Sequence, residues 1–302
     1  MRLHPLWLCA ISIASVAALS AQSKTVAERL GYPADSKLLI IHADDLAVAH
    51  AVDSASFDAL EKGAVTSASI LVPCPWLTEV AEYAKAHPGA DLGLHLDLTS
   101  EWNTYRWGPI ARDKIASLLD PAGTFWSATE PVAAHARPEE AERELRAQIE
   151  RALAVGIHPT HLDTHMGTMF ATPALNAIYA KLAHEYRLPF LSVRIPGQDT
   201  TVLPVNDVLL DSVMIVNTDV QPGGWKQSYL DAIKNMKPGF SELIVHLGYD
   251  GPELQAIMGQ GAFGSSWRQR DYDVVTSPEF KKALEDNHII LVKWKDVGKL
   301  VQ

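Results

Sequence analysis

Short apolar runs rich in β-branched residues alternate along the chain with stretches whose apolar positions recur every three to four residues. Leu38–His42, Thr66–Val72, Leu92–Leu98, Thr160–Asp163, Phe190–Arg194, Glu242–Leu247 and Ile289–Trp294 have the length and composition of buried strands. Between them, Val48–Lys62, Trp76–Ala86, Pro138–Val155, Ala174–Tyr186, Trp225–Asn235 and Ser277–Asp286 read as helices. The pattern at Pro138–Val155 is the clearest, with Pro138 and two glutamates at its opening, an apolar stripe, and Gly156 as the stop. Strands alternating with helices predict an α/β fold whose parallel sheet is covered by helices. Seven or so such units favour a barrel over an open sheet, in a single domain.

Two stretches stand outside this rhythm. Ser100–Ala136 follows a strand, lacks strong periodicity and holds Trp102, Trp107 and Trp126, the expected character of a loop that shapes a site. The N-terminus has Arg2, an apolar run from Leu6 to Leu19, and small residues in Ala18-Leu19-Ser20-Ala21. That is the pattern of a secretory signal peptide over residues 1–21, too short for an ordinary membrane span, with an uncleaved anchor as the alternative. Residues 22–302 then form one catalytic domain, periplasmic or secreted, with no further stretch resembling a span.

Charge and cysteine content narrow the chemistry. With 26 Lys+Arg against 36 Asp+Glu, the formal charge is -10, the wrong sign for a nucleic-acid-binding surface. Once Cys9 leaves with the signal segment, Cys74 stands alone, which excludes an internal disulfide and a thiolate cluster and suits a small buried hydrophobe. A metal, if held, must be held by His and carboxylate.

Strand ends are where a βα barrel gathers its reactive groups. Four of them carry His and Asp: His42-Ala43-Asp44-Asp45, His95-Leu96-Asp97, His161-Leu162-Asp163-Thr164-His165 and His246. Taken singly, the Asp pair is also an ordinary turn or cap, His95 an ordinary core histidine, and His246 equally structural or functional. Of His161 and His165, one can be structural and the other a ligand. Together they suit a division of labour, with one aspartate on a divalent ion and its neighbour free as a base. The donors fit Zn²⁺, or with more waters Mg²⁺.

These motifs resemble those of the YdjC/ChbG-type carbohydrate deacetylases. The match runs through Ile40-Ile41-His42-Ala43-Asp44-Asp45-Leu46, Gly63-Ala64-Val65-Thr66-Ser67, Gly93-Leu94-His95-Leu96-Asp97-Leu98-Thr99 and Pro159-Thr160-His161-Leu162-Asp163-Thr164-His165. Downstream, Glu242–His246 and the Arg270, Glu279 and Leu284 positions agree, so the resemblance spans roughly residues 37–298. It implies a distorted TIM-like barrel with one divalent metal ion, Zn²⁺ or Mg²⁺, on Asp45, His95 and His165. It places Asp44 as the catalytic carboxylate and His246 beside it, with Asp163 and His161 behind the ligands, orienting an imidazole. Two departures fall on the substrate side: Met166-Gly167-Thr168 where the family continues with histidines, and Leu247 where it has proline.

The expected reaction is removal of an acetyl group from an N-acetylated amino sugar. Asp44 would act as base, and His246 as acid toward the departing amine. Arg194, at a strand end, is the candidate for holding a substrate hydroxyl or pairing with Asp44, with an ordinary surface arginine as the alternative. The loop tryptophans suit stacking on a sugar face. Two other readings compete: a metal-dependent hydrolase of another amide or ester, and a non-catalytic periplasmic sugar-binding protein. Assembly as a homo-oligomer is left open.

Overall fold

The computed structural model describes residues 24–194, 207–217 and 219–301. The expected signal peptide over residues 1–21 lies outside the described residues. Among the described residues, seven strands, β1 (Lys37–Leu46), β2 (Ser67–Ile70), β3 (Leu92–Leu96), β4 (Leu162–Thr164), β5 (Ser212–Ile215), β6 (Gly239–Val245) and β7 (Ile289–Leu291), form one parallel sheet. The helices are α1 (Val26–Arg29), α2 (His50–Glu61), α3 (Leu77–Ala86), α4 (Thr129–His135), α5 (Pro138–Ala154), α6 (Pro173–Tyr186), α7 (Trp225–Asn235), α8 (Pro252–Met258), α9 (Ser265–Val275), α10 (Pro278–Asp286) and α11 (Trp294–Val297).

Pairing runs in the order β4-β3-β2-β1-β6-β5. Phe190–Arg194, predicted as a regular strand, makes only isolated bridges, Phe190 with Leu162 and Val193 with Leu210. Those bridges nevertheless join β4 to the run entering β5: Leu191 N–H donates to Leu162 (3.0 Å) and Arg194 N–H to Leu210 (2.8 Å). The sheet thereby closes into the distorted barrel expected. One edge of β1 pairs along its length with β6, while the other is shared, β7 pairing at Lys37–Leu39 and β2 from His42 onward.

The period of two in a strand explains how the barrel is filled. On β1, Leu39, Ile41 and Ala43 join the large core beneath the helices, whereas Leu38 and Ile40 pack with Phe240, Leu210, Val292 and Trp294 in a second apolar cluster. Continuing the second parity gives His42 and Asp44. On the other strands the same side carries Ser67, Ser69, His95, His161, Asp163 and Glu242, all buried. His42 meets Asp163 of β4 as well as Glu242 of the adjacent β6, a contact across the interior that the strong curvature of the sheet permits. Apolar residues therefore face outward to the helices, and the interior is apolar at one end and polar at the other. Gly93 in β3 belongs to this packing: a Cβ there would land inside the imidazole of His161.

Among the described residues no helix is long and apolar enough to cross a membrane.

Candidate metal centre

The end of β1 sets the geometry. In a regular strand, adjacent aspartates point to opposite faces. Here Asp45 has φ +72° and Ala47 φ +75°, and the register with β2 shifts between Ala43 and Leu46. A left-handed residue costs backbone energy, least for Asp, Asn and Gly. The kink is held by Asp53 of α2, whose Oδ1 accepts the Ala47 N–H at 2.6 Å. Its effect is to bring both Asp44 and Asp45 to one pocket of about 420 Å³ at the polar end of the barrel.

Three donors converge there. Asp45 Oδ1 lies 3.5 Å from His95 Nε2 and 3.4 Å from His165 Nδ1. Ligands bound at about 2.1 Å and 90–110° apart are separated by roughly 3.0–3.4 Å, so the spacing is close to that of a coordinated set. Asp45 Oδ1 is buried without a hydrogen-bond partner. An orphaned carboxylate oxygen facing two imidazole nitrogens is what a cation would satisfy, and the O/N₂ donor set fits a divalent ion. The ring nitrogens on the far side meet carboxylates: His95 Nδ1 lies 2.9 Å from Asp163 Oδ2, and His165 Nε2 is 3.1 Å from Glu101 Oε2. Such backing carboxylates fix ring orientation and raise ligand basicity.

The two aspartates sit in different electrostatic surroundings. Burial, and then the neighbouring Asp163, Asp45 and Glu242 charges, push the Asp44 carboxyl well above the usual carboxylate range. Burial opposes ionisation of Asp45 too, but the Arg268 guanidinium and His165 hold it well below that range. Arg268 Nη2 donates to Asp45 Oδ2 at 2.6 Å. Asp45 is thus the standing anion and Asp44 the carboxylate that takes up a proton, a separation typical of acid–base sites. His246 Nε2 lies 3.8 Å from Asp44 Oδ2, and burial drops its pKa to about 4, keeping the imidazole neutral.

Most of the expected residues meet in this pocket: Asp44, Asp45, His95, His165 and His246 all line it. Arg194 does not. It is exposed, and its Nε donates to Asp211 Oδ1 at 3.1 Å, because its segment pairs with the start of β5 rather than reaching the polar rim. His161 is also displaced from its expected place behind a ligand. It lies one layer deeper, 3.5 Å from Asp91 Oδ1 and stacked on Trp294. Of the three loop tryptophans, Trp102 lines the pocket. The indole N–H groups of Trp107 and Trp126 donate to Asp97 Oδ2 just past β3 (2.6 Å) and to the Ser117 carbonyl within the insertion (3.0 Å).

Sequence reasoning missed Glu101, Arg268 and Trp267, all on the pocket wall. Glu101 arrives because Asp97 accepts Thr99 N–H and the Trp107 indole, and Glu144 of α5 accepts the backbone N–H groups of Ile110 and Ala111, pinning the insertion. Arg268 arrives on α9, with room made at Gly248, where a Cβ would crowd its side chain. The remaining wall is apolar, with Met166, Ile215, Met258 and Phe263.

Fold and site together define an α/β barrel with a His/carboxylate centre at one end. The chain belongs to the YdjC-like protein family, whose model matches residues 38–286. It is 35% identical over 281 residues to a carbohydrate deacetylase of Thermus thermophilus, covering 89% of this chain and 97% of the relative. A carbohydrate deacetylase of Brevibacillus brevis is 31% identical over 267 residues, covering 86% and 99%. A crystal structure from Enterococcus faecalis V583, named provisionally for cellobiose-phosphate cleavage, superposes with a TM-score of 0.73 at 28% identity. That match covers 87% of this chain and 99% of the other.

Proposed function

We propose that the protein is a metal-dependent carbohydrate deacetylase that hydrolyses the N-acetyl group of an amino sugar. The observation that carries this reading is the unpartnered Asp45 Oδ1 between His95 Nε2 and His165 Nδ1, with Asp44 on the same pocket. The curated relatives named for carbohydrate deacetylation, matched over nearly their full length, supply the substrate class.

Asp45, His95 and His165 would hold one divalent ion, Zn²⁺ or Mg²⁺, which when bound supplies charge to polarise the acyl oxygen and acidify water. Asp44 takes the proton of the attacking water, with Oδ2 turned to the pocket. The Asp44 carboxyl then returns that proton to the departing amine, with the neutral His246 beside it on the pocket wall. Trp102 and Trp267 offer flat apolar faces to a sugar ring. We further propose that residues 1–21 direct export, so that the enzyme works in the periplasm or outside the cell.

The test is acetate release from N-acetylglucosamine and its β-linked dimer before and after chelation. Activity should vanish with the ion and return when Zn²⁺ or Mg²⁺ is restored. Full activity in protein stripped of metal would overturn the reading.

A further inference from the structure

The proposed base, Asp44, is held from behind by groups that never reach the pocket. Its Oδ1 lies 3.3 Å from His42 Nε2 and accepts the Ser69 hydroxyl at 3.3 Å, while its Oδ2 faces His95 and His246. His42 is fully buried, and its other nitrogen, Nδ1, lies 3.4 Å from Glu242 Oε1; both ring contacts are close electrostatic approaches rather than formed hydrogen bonds. Glu242 is fully buried as well, and Oε1 also accepts the Trp294 indole N–H at 3.1 Å. Edge-on at 5.0 Å, His161 closes the remaining side of the His42 ring. Neither His42 nor Glu242 lines the pocket.

Packing alone does not ask for this arrangement. A buried carboxylate and imidazole cost more than apolar side chains of similar volume unless each is matched. The His42 ring joins two elements, β1 and β6, and its Nε2 sits between the two carboxylates behind the rim, 3.3 Å from Asp44 and 3.4 Å from Asp163. Rotation of the Asp44 carboxylate would break the His42 contact at Oδ1 and turn Oδ2 away from the pocket.

We propose that His42 and Glu242 are positioning residues for Asp44, Glu242 setting the His42 ring and His42 fixing Oδ1 so that Oδ2 presents to substrate. The inference rests on the deacetylase reading above. It assigns no proton transfer to His42. The pair acts through orientation, which is worth orders of magnitude in rate when a reacting group is otherwise free to turn.

Steady-state acetate release from N-acetylglucosamine tests it, with bound metal counted in each variant. His42→Phe should lower kcat about 30-fold or more while KM stays within about twofold and the ion is retained. His42→Gln, whose amide can stand where Nε2 stood, should recover most of that loss. Combined with Asp44→Asn, His42→Phe should cost nothing further, because a positioning residue has nothing left to position. Glu242→Gln keeps the shape and the Trp294 bond and should cost about threefold to tenfold in kcat, so the test survives misfolding of His42→Phe. Unchanged kcat in both the His42→Phe and Glu242→Gln variants, loss of the ion, or a cost that multiplies fully with Asp44→Asn would overturn the inference. A metal-loaded parent releasing no acetate from N-acetylated sugars would overturn the deacetylase reading and this inference with it.

Discussion

Two His/carboxylate groupings lie side by side in the barrel, and donor identity does not tell them apart. Asp45, His95 and His165 form one; His42, Asp44 and Asp163 form the other; both are buried, and both bring donor atoms within 4.8 Å of one another. The first opens on the pocket through all three members, whereas of the second only Asp44 does. The first leaves a carboxylate oxygen, Asp45 Oδ1, unpartnered, whereas in the second the aspartate oxygens are shared with Ser69 and His95 and the unpartnered atoms are the two His42 nitrogens. Access and an unmet charge, more than residue type, separate a binding centre from its support.

Removing a donor from the outer grouping should have the largest effect. His165→Ala should lose the ion and lower kcat/KM by about a thousandfold or more, roughly 4 kcal/mol of transition-state stabilisation. Elemental analysis and turnover on one preparation check it; an ion retained at full stoichiometry would break the distinction drawn above.

A smaller effect belongs to the inner column. Gly93→Ala should destabilise the fold by about 2–3 kcal/mol, because the new methyl displaces His161 in an interior with no slack. Urea denaturation reads this, and the metal content of the folded fraction should be unchanged. Loss of metal alongside stability would mean the two groupings are not independent.

The smallest effect concerns the turn that makes the outer grouping. Burial, with Glu79 and Glu253 nearby, pushes Asp53 up to about 9, although the Ala47 N–H opposes the shift. A carboxyl raised in the fold contributes stability that is present below its unfolded pKa near 4 and is lost as pH climbs toward 9. Asp53→Asn keeps an acceptor for Ala47 and removes the charge. The variant should match the parent near pH 5 and exceed it by about 2 kcal/mol at pH 9, within the limit of roughly 1.4 kcal/mol per pH unit for one proton. Parallel stability–pH curves would show that Asp53 is ionised throughout and that the turn tolerates it.

Much of this was legible in the chain itself. Apolar runs located most of the strands, and the alternation in His95-Leu96-Asp97 or His161-Leu162-Asp163 marks strands with a polar inward face. Of the four residue runs that carried the family resemblance, those around Asp44, His95 and His165 meet at the pocket, while Gly63–Ser67 does not reach it. What escaped was decided by tertiary contact. β5 is short and half exposed, so it lacks the apolar density of a buried strand. Arg268 sits on α9, which has only a weak apolar stripe, and is indistinguishable by type from Arg270 beside it. Arg194 looked like a rim residue because its run was expected to be a full strand; as a pair of bridges, it ends elsewhere. The left-handed Asp45 leaves no trace in sequence, since glycine is the usual sign of such a turn.

The apolar end of the barrel has a consequence of its own. Trp294, Phe240, Leu38 and Ile40 close the interior beneath His42 and Glu242, and the Trp294 indole covers His161 as well. Among the described residues the polar column meets the pocket at Asp44 and His95, so a ligand seated there would lie across its open end and slow solvent exchange at histidines it never touches.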